Sequence, residues 1–272
     1  MHKHKTANWL INTLIVLGAL VMMFPLVWTV STSLSSGVGL SSTPSLIPED
    51  PSVSAYKELF ERTNFGRVIV NSFVIAAIVT VAQLFTSSTA GYVFSRIQFS
   101  GREILFGIYL VTMMIPLQVL LVPLFSMMRT FGLVDTYAGA LLPSLAAPFG
   151  IFLFRQAMGS VPKELDEAAT LDGAGHFRIF TQVIMPQMGP TVATLTVFVF
   201  MGSWNSFLWP LVILRSEHLQ TLPLALARLQ GQYTTQWDIV MAGSVISILP
   251  MLAVYLFAQK YVIQGVASSG LK

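Results

Sequence analysis

Pro162-Lys163-Glu164-Leu165-Asp166-Glu167-Ala168-Ala169-Thr170-Leu171-Asp172-Gly173-Ala174-Gly175-His176-Phe177-Arg178-Ile179-Phe180-Thr181-Gln182-Val183-Ile184-Met185-Pro186 is the stretch that decides the fold. Residues 155–190 hold four of the chain's 12 acidic residues, Glu164, Asp166, Glu167 and Asp172. The other long stretches are apolar. Ser160 is placed to cap a helix, with Pro162 in its first turn, where a missing N–H costs little. Glu164, Asp166 and Glu167 then lie near the positive end of the helix dipole. Ala168 and Ala169 are small enough for another surface to approach the backbone. Gly173 suits the position just past a helix, where positive φ is needed. A second helical piece is predicted over residues 176–185, ended by Pro186. The expected form is helix, turn, helix, with small residues and a carboxylate at the bend. That is a docking knob.

Outward from the knob, the chain belongs in a bilayer. Of its 272 residues 54% are hydrophobic and 10% charged, with a mean hydropathy of +0.71. Soluble domains carry about 25% charged residues. The net charge of +3 is spread thinly, with no basic block that would suit nucleic acid. With no cysteine there is no disulfide, thiolate nucleophile or thiolate metal site. His2, His4, His176 and His218 are too scattered to suggest a metal centre.

The fold class expected is all-α and integral to the membrane. Six transmembrane helices are predicted, at about residues 9–30, 68–94, 104–128, 138–154, 191–214 and 239–259, in one transmembrane domain over 1–272. The first apolar run is long enough to cross a hydrocarbon core of about 30 Å. A cleaved signal peptide has the same basic-then-apolar pattern but a shorter apolar region, so a retained anchor is favoured. Residues 31–67 form a loop with one short helix. Pro116, Pro123, Pro143, Pro148, Pro210 and Pro250 should kink or break the spans they occupy. With the N-terminus inside, the inner face collects Lys3, Lys5, Arg96, Arg102, Arg155, Lys163, Arg178, Lys260 and Lys272. The outer face collects Lys57, Arg62, Arg67, Arg129, Arg215 and Arg228. The surplus puts both termini and the 155–190 loop in the cytoplasm.

The predicted spans contain no Asp, Glu, Lys, Arg or His. Gradient-driven carriers usually keep such groups as relays or ion ligands, although Na⁺ sites can be built from carbonyls and hydroxyls. Driving energy therefore enters from outside the bilayer, and the 155–190 loop is the natural entrance. No Gly-rich phosphate loop, Ser/His/Asp set or buried acid pair is present, so the chain is not read as an enzyme. Neutral polar residues are frequent: Asn71, Ser72, Gln83, Gln118, Ser126, Ser144, Ser203, Asn205, Ser206, Ser244 and Ser247. Helix–helix hydrogen bonding is the commoner use of such groups, and lining a wet path is the other. Trp204-Asn205-Ser206-Phe207-Leu208-Trp209-Pro210 combines aromatic faces with an amide and a hydroxyl, which suits a sugar. An interfacial aromatic belt explains it equally well. Asn71, Gln118, Trp204, Asn205, Ser206 and Trp209 are the candidate path residues.

Glu167-Ala168-Ala169, then Gly173, then Val183-x-Met185-Pro186 resembles the cytoplasmic EAA loop of permease subunits of ABC importers. That family has Ile and Leu where this chain has Val183 and Met185. Asp172-Gly173-Ala174 and Pro162-x-Glu164-Leu165 also match. Trp204-Asn205-x-Phe207-Leu208-x-Pro210-Leu211 is similar to a helix of the carbohydrate branch, the maltose-type second permease. Asn71-Ser72 also fits that branch, and so does the ending from Tyr261 to Lys272, with its small residues shifted. The resemblance implies an inner-membrane subunit importing a carbohydrate. Its partners would be a homologous second permease, two cytoplasmic ATPase subunits that bind ATP and Mg, and an extracytoplasmic solute-binding protein. It implies no cofactor in this chain. ATPase coupling would fall to Glu164, Asp166, Glu167, Ala168, Ala169, Asp172, Gly173, Ala174 and Pro186. A glycerophospho-compound is the alternative solute; a secondary transporter and a membrane scaffold are the alternative classes.

Overall fold

The computed structural model describes residues 2–35, 47–48, 50–232 and 236–269, and everything regular among them is helical. The only β contact among the described residues is an isolated bridge, Ser35 to Pro51. The chain divides into two compact units: Met1–Gly66 with Ala225–Pro250, and Arg67–Leu224 with Met251–Lys272.

In the first unit, α1 (His2–Ser33) leaves its apolar side chains uncovered, from Trp9 at 73% exposure to Val30 at 45%. A helix apolar on every side has lipid or another protein for a neighbour. The amphipathic α2 (Ser54–Arg62) buries Ala55 and Leu59. Phe60 meets Phe65 edge-on, with ring centroids 5.8 Å apart. The Tyr56 and Ser33 hydroxyls lie 2.8 Å apart.

The second unit is organised along α3 (Phe65–Arg96), from Arg67 on. There follow α4 (Arg102–Val111), α5 (Leu117–Thr130), α6 (Tyr137–Leu141), α7 (Pro148–Gly159) and α8 (Glu164–Leu171). Beyond these lie α9 (His176–Arg178), α10 (Gly189–Trp204) and α11 (Leu208–Ile213); α12 (Leu222–Gln232) starts in this unit and falls mostly in the first, and α13 (Trp237–Ser269) belongs to the first unit up to Pro250 and to the second from Met251. Two packed clusters sit along α3. Ile75 and Val79 join Met128, Ala140, Trp209 and Ile213; Tyr92 joins Phe154, Met158, Ile184 and Leu195. In lipid such contacts hold by close packing rather than by expulsion of water. Two glycines permit it. A Cβ on Gly91 would lie 2.6 Å from Phe154 Cβ, and one on Gly150 would overlap the Ser87 hydroxyl.

Among the described residues four helices are long and apolar enough to cross a membrane: Ile11–Ser33, Phe65–Arg96, His176–Trp204 and Trp237–Leu256. Two bent pairs raise the number to as many as six when each pair counts as one span. Arg102–Met114 and Leu117–Thr130 meet at 100°, Tyr137–Ser144 and Pro148–Gly159 at 42°. The breaks fall where sequence predicts them. Ile115 and Pro116 are extended at the first, and Ala147 is extended before Pro148 at the second. Proline lacks an N–H and pushes the preceding residue out of helical geometry. Pro123 and Pro250 lie inside continuous helices. The stretch 191–214 is interrupted, because α10 stops at Trp204, before Pro210. The Asn205 amide there donates to the Met201 carbonyl at 2.9 Å and competes with the helix backbone.

Candidate functional site

The knob forms as predicted at its turn and differently at its ends. Gly173 has φ +80°. Its N–H bonds the Thr170 carbonyl at 3.0 Å and the Ala174 N–H bonds Ala169 at 2.9 Å, the paired pattern of a Schellman stop. Glu164, Asp166 and Glu167 occupy the first turn of α8. Ser160 does not cap this helix. It closes α7, its hydroxyl donating to the Ala157 carbonyl at 2.7 Å, and Lys163 stands at the start of α8. Pro186 does not end the second piece either. The chain widens into a π-helix over Ile179–Ile184, tightens into a 3₁₀ turn over Met185–Met188 and continues as α10. The change of register absorbs the missing N–H of Pro186, and the Gln187 amide donates to the Val183 carbonyl at 2.8 Å.

Adjacent helix residues face different ways, so the two alanines do different jobs. Ala168 is exposed, whereas Ala169, like Ala174, packs on the cluster around Phe154. Glu164, Glu167, Asp172 and Pro186 are exposed. Leu171 and Phe177 stand 90% and 81% exposed on either side of the Gly173 turn. Two large apolar side chains thus stand uncovered on a segment whose first turn carries three carboxylates.

Asp166 faces inward. Its Oδ2 lies 3.0 Å from Arg96 Nε at the end of α3, and the Arg96 side chain is 4% exposed. The N–H is not aimed at that oxygen, and Asp166 Oδ1 is buried without a hydrogen bond. The other arm of Arg96 donates to the Val161 carbonyl at 2.8 Å. One turn earlier on α3, the Tyr92 hydroxyl is 3.3 Å from His176 Nδ1 and its ring tilts on Phe180 at 5.2 Å. Nearby, Arg155 grips Glu103 at 2.7 and 2.8 Å and lies 3.9 Å over the Phe106 ring.

The other end of α3 is held by neutral groups. The Asn71 amide donates to the His218 and Gln220 carbonyls at 2.9 and 3.0 Å and accepts from the Tyr137 hydroxyl at 2.7 Å. Ser72 Oγ accepts the Leu222 N–H at 2.6 Å. Asp135, at φ +60°, caps the facing loop. Its carboxylate accepts the Arg215 and Ser216 N–H groups at 2.8 and 2.9 Å and also the Ser216 hydroxyl. Those bonds, the Ser216 hydroxyl first, hold the Asp135 carboxyl below its ordinary value.

Between the two ends lies a cavity of about 520 Å³ beside Phe149, Phe198 and Trp209, with Ser203, Ser206 and Thr221 among its polar lining. No lining residue is charged. The Thr221 hydroxyl is buried without a hydrogen bond. Of the candidate path residues the cavity takes Ser206 and Trp209, whose indole N–H donates to the Gly139 carbonyl at 3.1 Å. Trp204 is buried and stacked on Phe200 at 5.8 Å. Asn205 and Gln118 are exposed, and Asn71 is the hydrogen-bonded node just described. Among the described residues no three His, Cys, Asp or Glu side chains cluster for a metal. The Tyr261–Lys272 ending lies outside the described side chains.

Arg96, Tyr92, Asp135, Tyr137, Gly91 and Gly150 were not picked out by motif. Arg96 reads as an ordinary basic residue at a helix end, and only its contact with Asp166 separates it from the others.

The family model for the inner membrane component of binding-protein-dependent transport systems matches residues 83–268. The arabinooligosaccharides transport system permease protein AraQ of Halalkalibacterium halodurans is 36% identical, over 99% of each chain. The sn-glycerol-3-phosphate transport system permease protein UgpE of Brucella abortus is 29% identical, again over 99% of each. Among solved structures, a chain of a bacterial ABC transporter for import of the acidic polysaccharide alginate superposes with a TM-score of 0.85 at 26% identity. The match covers 96% of this chain and 98% of that one.

Proposed function

We propose that this chain, which belongs to the family of inner membrane components of binding-protein-dependent transport systems, is the permease subunit of an ATP-driven importer for a carbohydrate. One observation carries the coupling role. Leu171, Phe177 and Glu167 stand uncovered around a rigid glycine turn, while Ala169 and Ala174 root that turn in the packed interior. The knob lies in the cytoplasm, and both termini lie on the same side.

Its partners are a homologous second permease, two ATPase subunits holding ATP and Mg, and a solute-binding protein on the opposite face. Glu167 pairs with a cation in the ATPase groove, Ala168 allows close seating, and Gly173 keeps the angle between α8 and α9. Closure of the ATPase pair moves the knob, and the spans rock from inward to outward access. ATP acts only by binding the outward state more tightly than the inward one.

A neutral solute fits the uncharged cavity with its aromatic walls and free Thr221 hydroxyl. The likeness to a glycerol-3-phosphate permease favours a second reading, an anionic solute. That solute would need a cation in the path, supplied by the partner permease. Reconstituted with its ATPase and binding protein, the complex should take up a neutral oligosaccharide only with ATP, and glycerol phosphate poorly. Gly173→Val should leave the complex assembled and hydrolysing ATP but cut uptake at least about tenfold. Normal uptake by that variant removes the role assigned to the knob.

A further inference from the structure

Resting on the importer reading, we propose that Arg96 binds the knob to α3, so that α8 and the Arg96 end of α3 move as one body when nucleotide binds. The guanidinium touches two parts of the knob region at once, the Val161 carbonyl ahead of α8 and the Asp166 carboxylate on its first turn. Its side chain is 4% exposed, so it has no water to retreat into. Pulling α8 away would leave a buried cation unpaired, which costs far more than an exposed pair does. The link is also not a fully formed fork. Arg96 Nε and Asp166 Oδ1 have no aligned hydrogen bond although the charges are 3.0 Å apart. Charge attraction tolerates small rotations that an aligned bidentate pair would resist. Tyr92 gives a second, weaker footing on His176 and Phe180. Other basic residues near this end either pair with the exposed Glu103 or point to solvent, so none can replace Arg96.

Because the chain lacks cysteine, spin labels can be placed singly at Gln98, just beyond α3, and at the exposed Lys163 at the start of α8. In the complete complex with its ATPase, the distance between these labels should be the same with and without ATP. In Arg96→Gln it should change by several ångströms on adding ATP, with ATP hydrolysis retained and uptake reduced. The exchange of charges, Arg96→Asp with Asp166→Arg, should restore the constant distance. Asp166→Asn, which leaves the Val161 contact in place, should give an intermediate result. A label distance that changes in the natural chain overturns the proposal, and so does one that stays constant in Arg96→Gln. If Arg96→Gln and Asp166→Asn both fail to assemble and the charge exchange does not rescue them, Arg96 serves folding alone and the proposal fails. A natural chain that captures no ATPase contradicts the importer reading instead, which keeps the two failures apart.

Discussion

At its Asn71 end α3 is fastened by aligned hydrogen bonds to the backbone of the 213–222 loop; at its Arg96 end it meets the knob through one charge pair, one backbone carbonyl and a tyrosine ring. The first kind of contact is directional and fails if the partner moves by an ångström. Of the second set, the Arg96–Asp166 charge pair falls off slowly with distance and tolerates rotation, while the bond to the Val161 carbonyl is directional. The same helix therefore has one end built to stay in place and one built to follow a partner. The exposures agree: Leu219, Gln220 and Leu222 are buried beneath the fixed end, whereas Leu171 and Phe177 stand free beyond the other.

The comparison can be broken most decisively at Asn71. Asn71→Leu leaves the His218 and Gln220 carbonyls and the Tyr137 hydroxyl without partners inside the protein. The expected loss is about 3 kcal/mol, since each buried unpaired group costs roughly 1–3 kcal/mol. Thermal unfolding of the detergent-solubilised chain measures it, and an unchanged midpoint would mean that this end is not fixed. Next comes Gly91→Val, which pushes α3 off α7 beside the Arg96 end. Overpacking of this kind costs about 1–3 kcal/mol, and the same melting assay should show a smaller fall than Asn71→Leu.

Acid should separate the two ends. The Asp135 carboxyl is held below its ordinary value in the folded chain, so its contribution is present above the unfolded value of about 4 and disappears as pH falls through the folded one. Stability should fall below about pH 4, and Asp135→Asn should flatten part of that fall. An identical acid profile in the variant would show that the loop cap does not depend on the carboxylate. The smallest effect is expected at Arg155→Ala. Glu103 is 63% exposed, and an exposed pair of this kind adds little to stability. A shift larger than that of Gly91→Val would mean that the ring contact with Phe106 outweighs the charge pair.

What sequence reveals here is local. Gly173, the acidic first turn of α8 and the breaks at Pro116 and Pro148 follow from single residues acting on their own backbone, and all three are present. Sequence misleads where one residue has two uses. Ser160 can start a helix or finish one, and the Schellman stop downstream says nothing about which. Pro186 would end a plain α-helix, but here it falls in a 3₁₀ turn behind a π-helix, and nothing local announces that change of register. The stretch from Trp204 to Pro210 looks like one patch, yet the helix end at Asn205 sends its members apart, with Trp204 stacked inside, Asn205 in the open and Trp209 on the cavity wall. Contacts between distant residues are invisible in the chain. Arg96 and Asp166 are brought together only by the packing of α3, α7 and α8, and Asn71 finds its carbonyls more than a hundred residues away.

The account rests on the Gly173 turn being the place where a separate motor takes hold. A single cysteine at Leu171, 90% exposed in a chain with no other cysteine, tests this most directly. A membrane-impermeant maleimide should modify it in inside-out vesicles and not in right-side-out ones, and bound ATPase subunit should protect it. Modification in right-side-out vesicles, or equal reaction with and without the ATPase, would contradict the account.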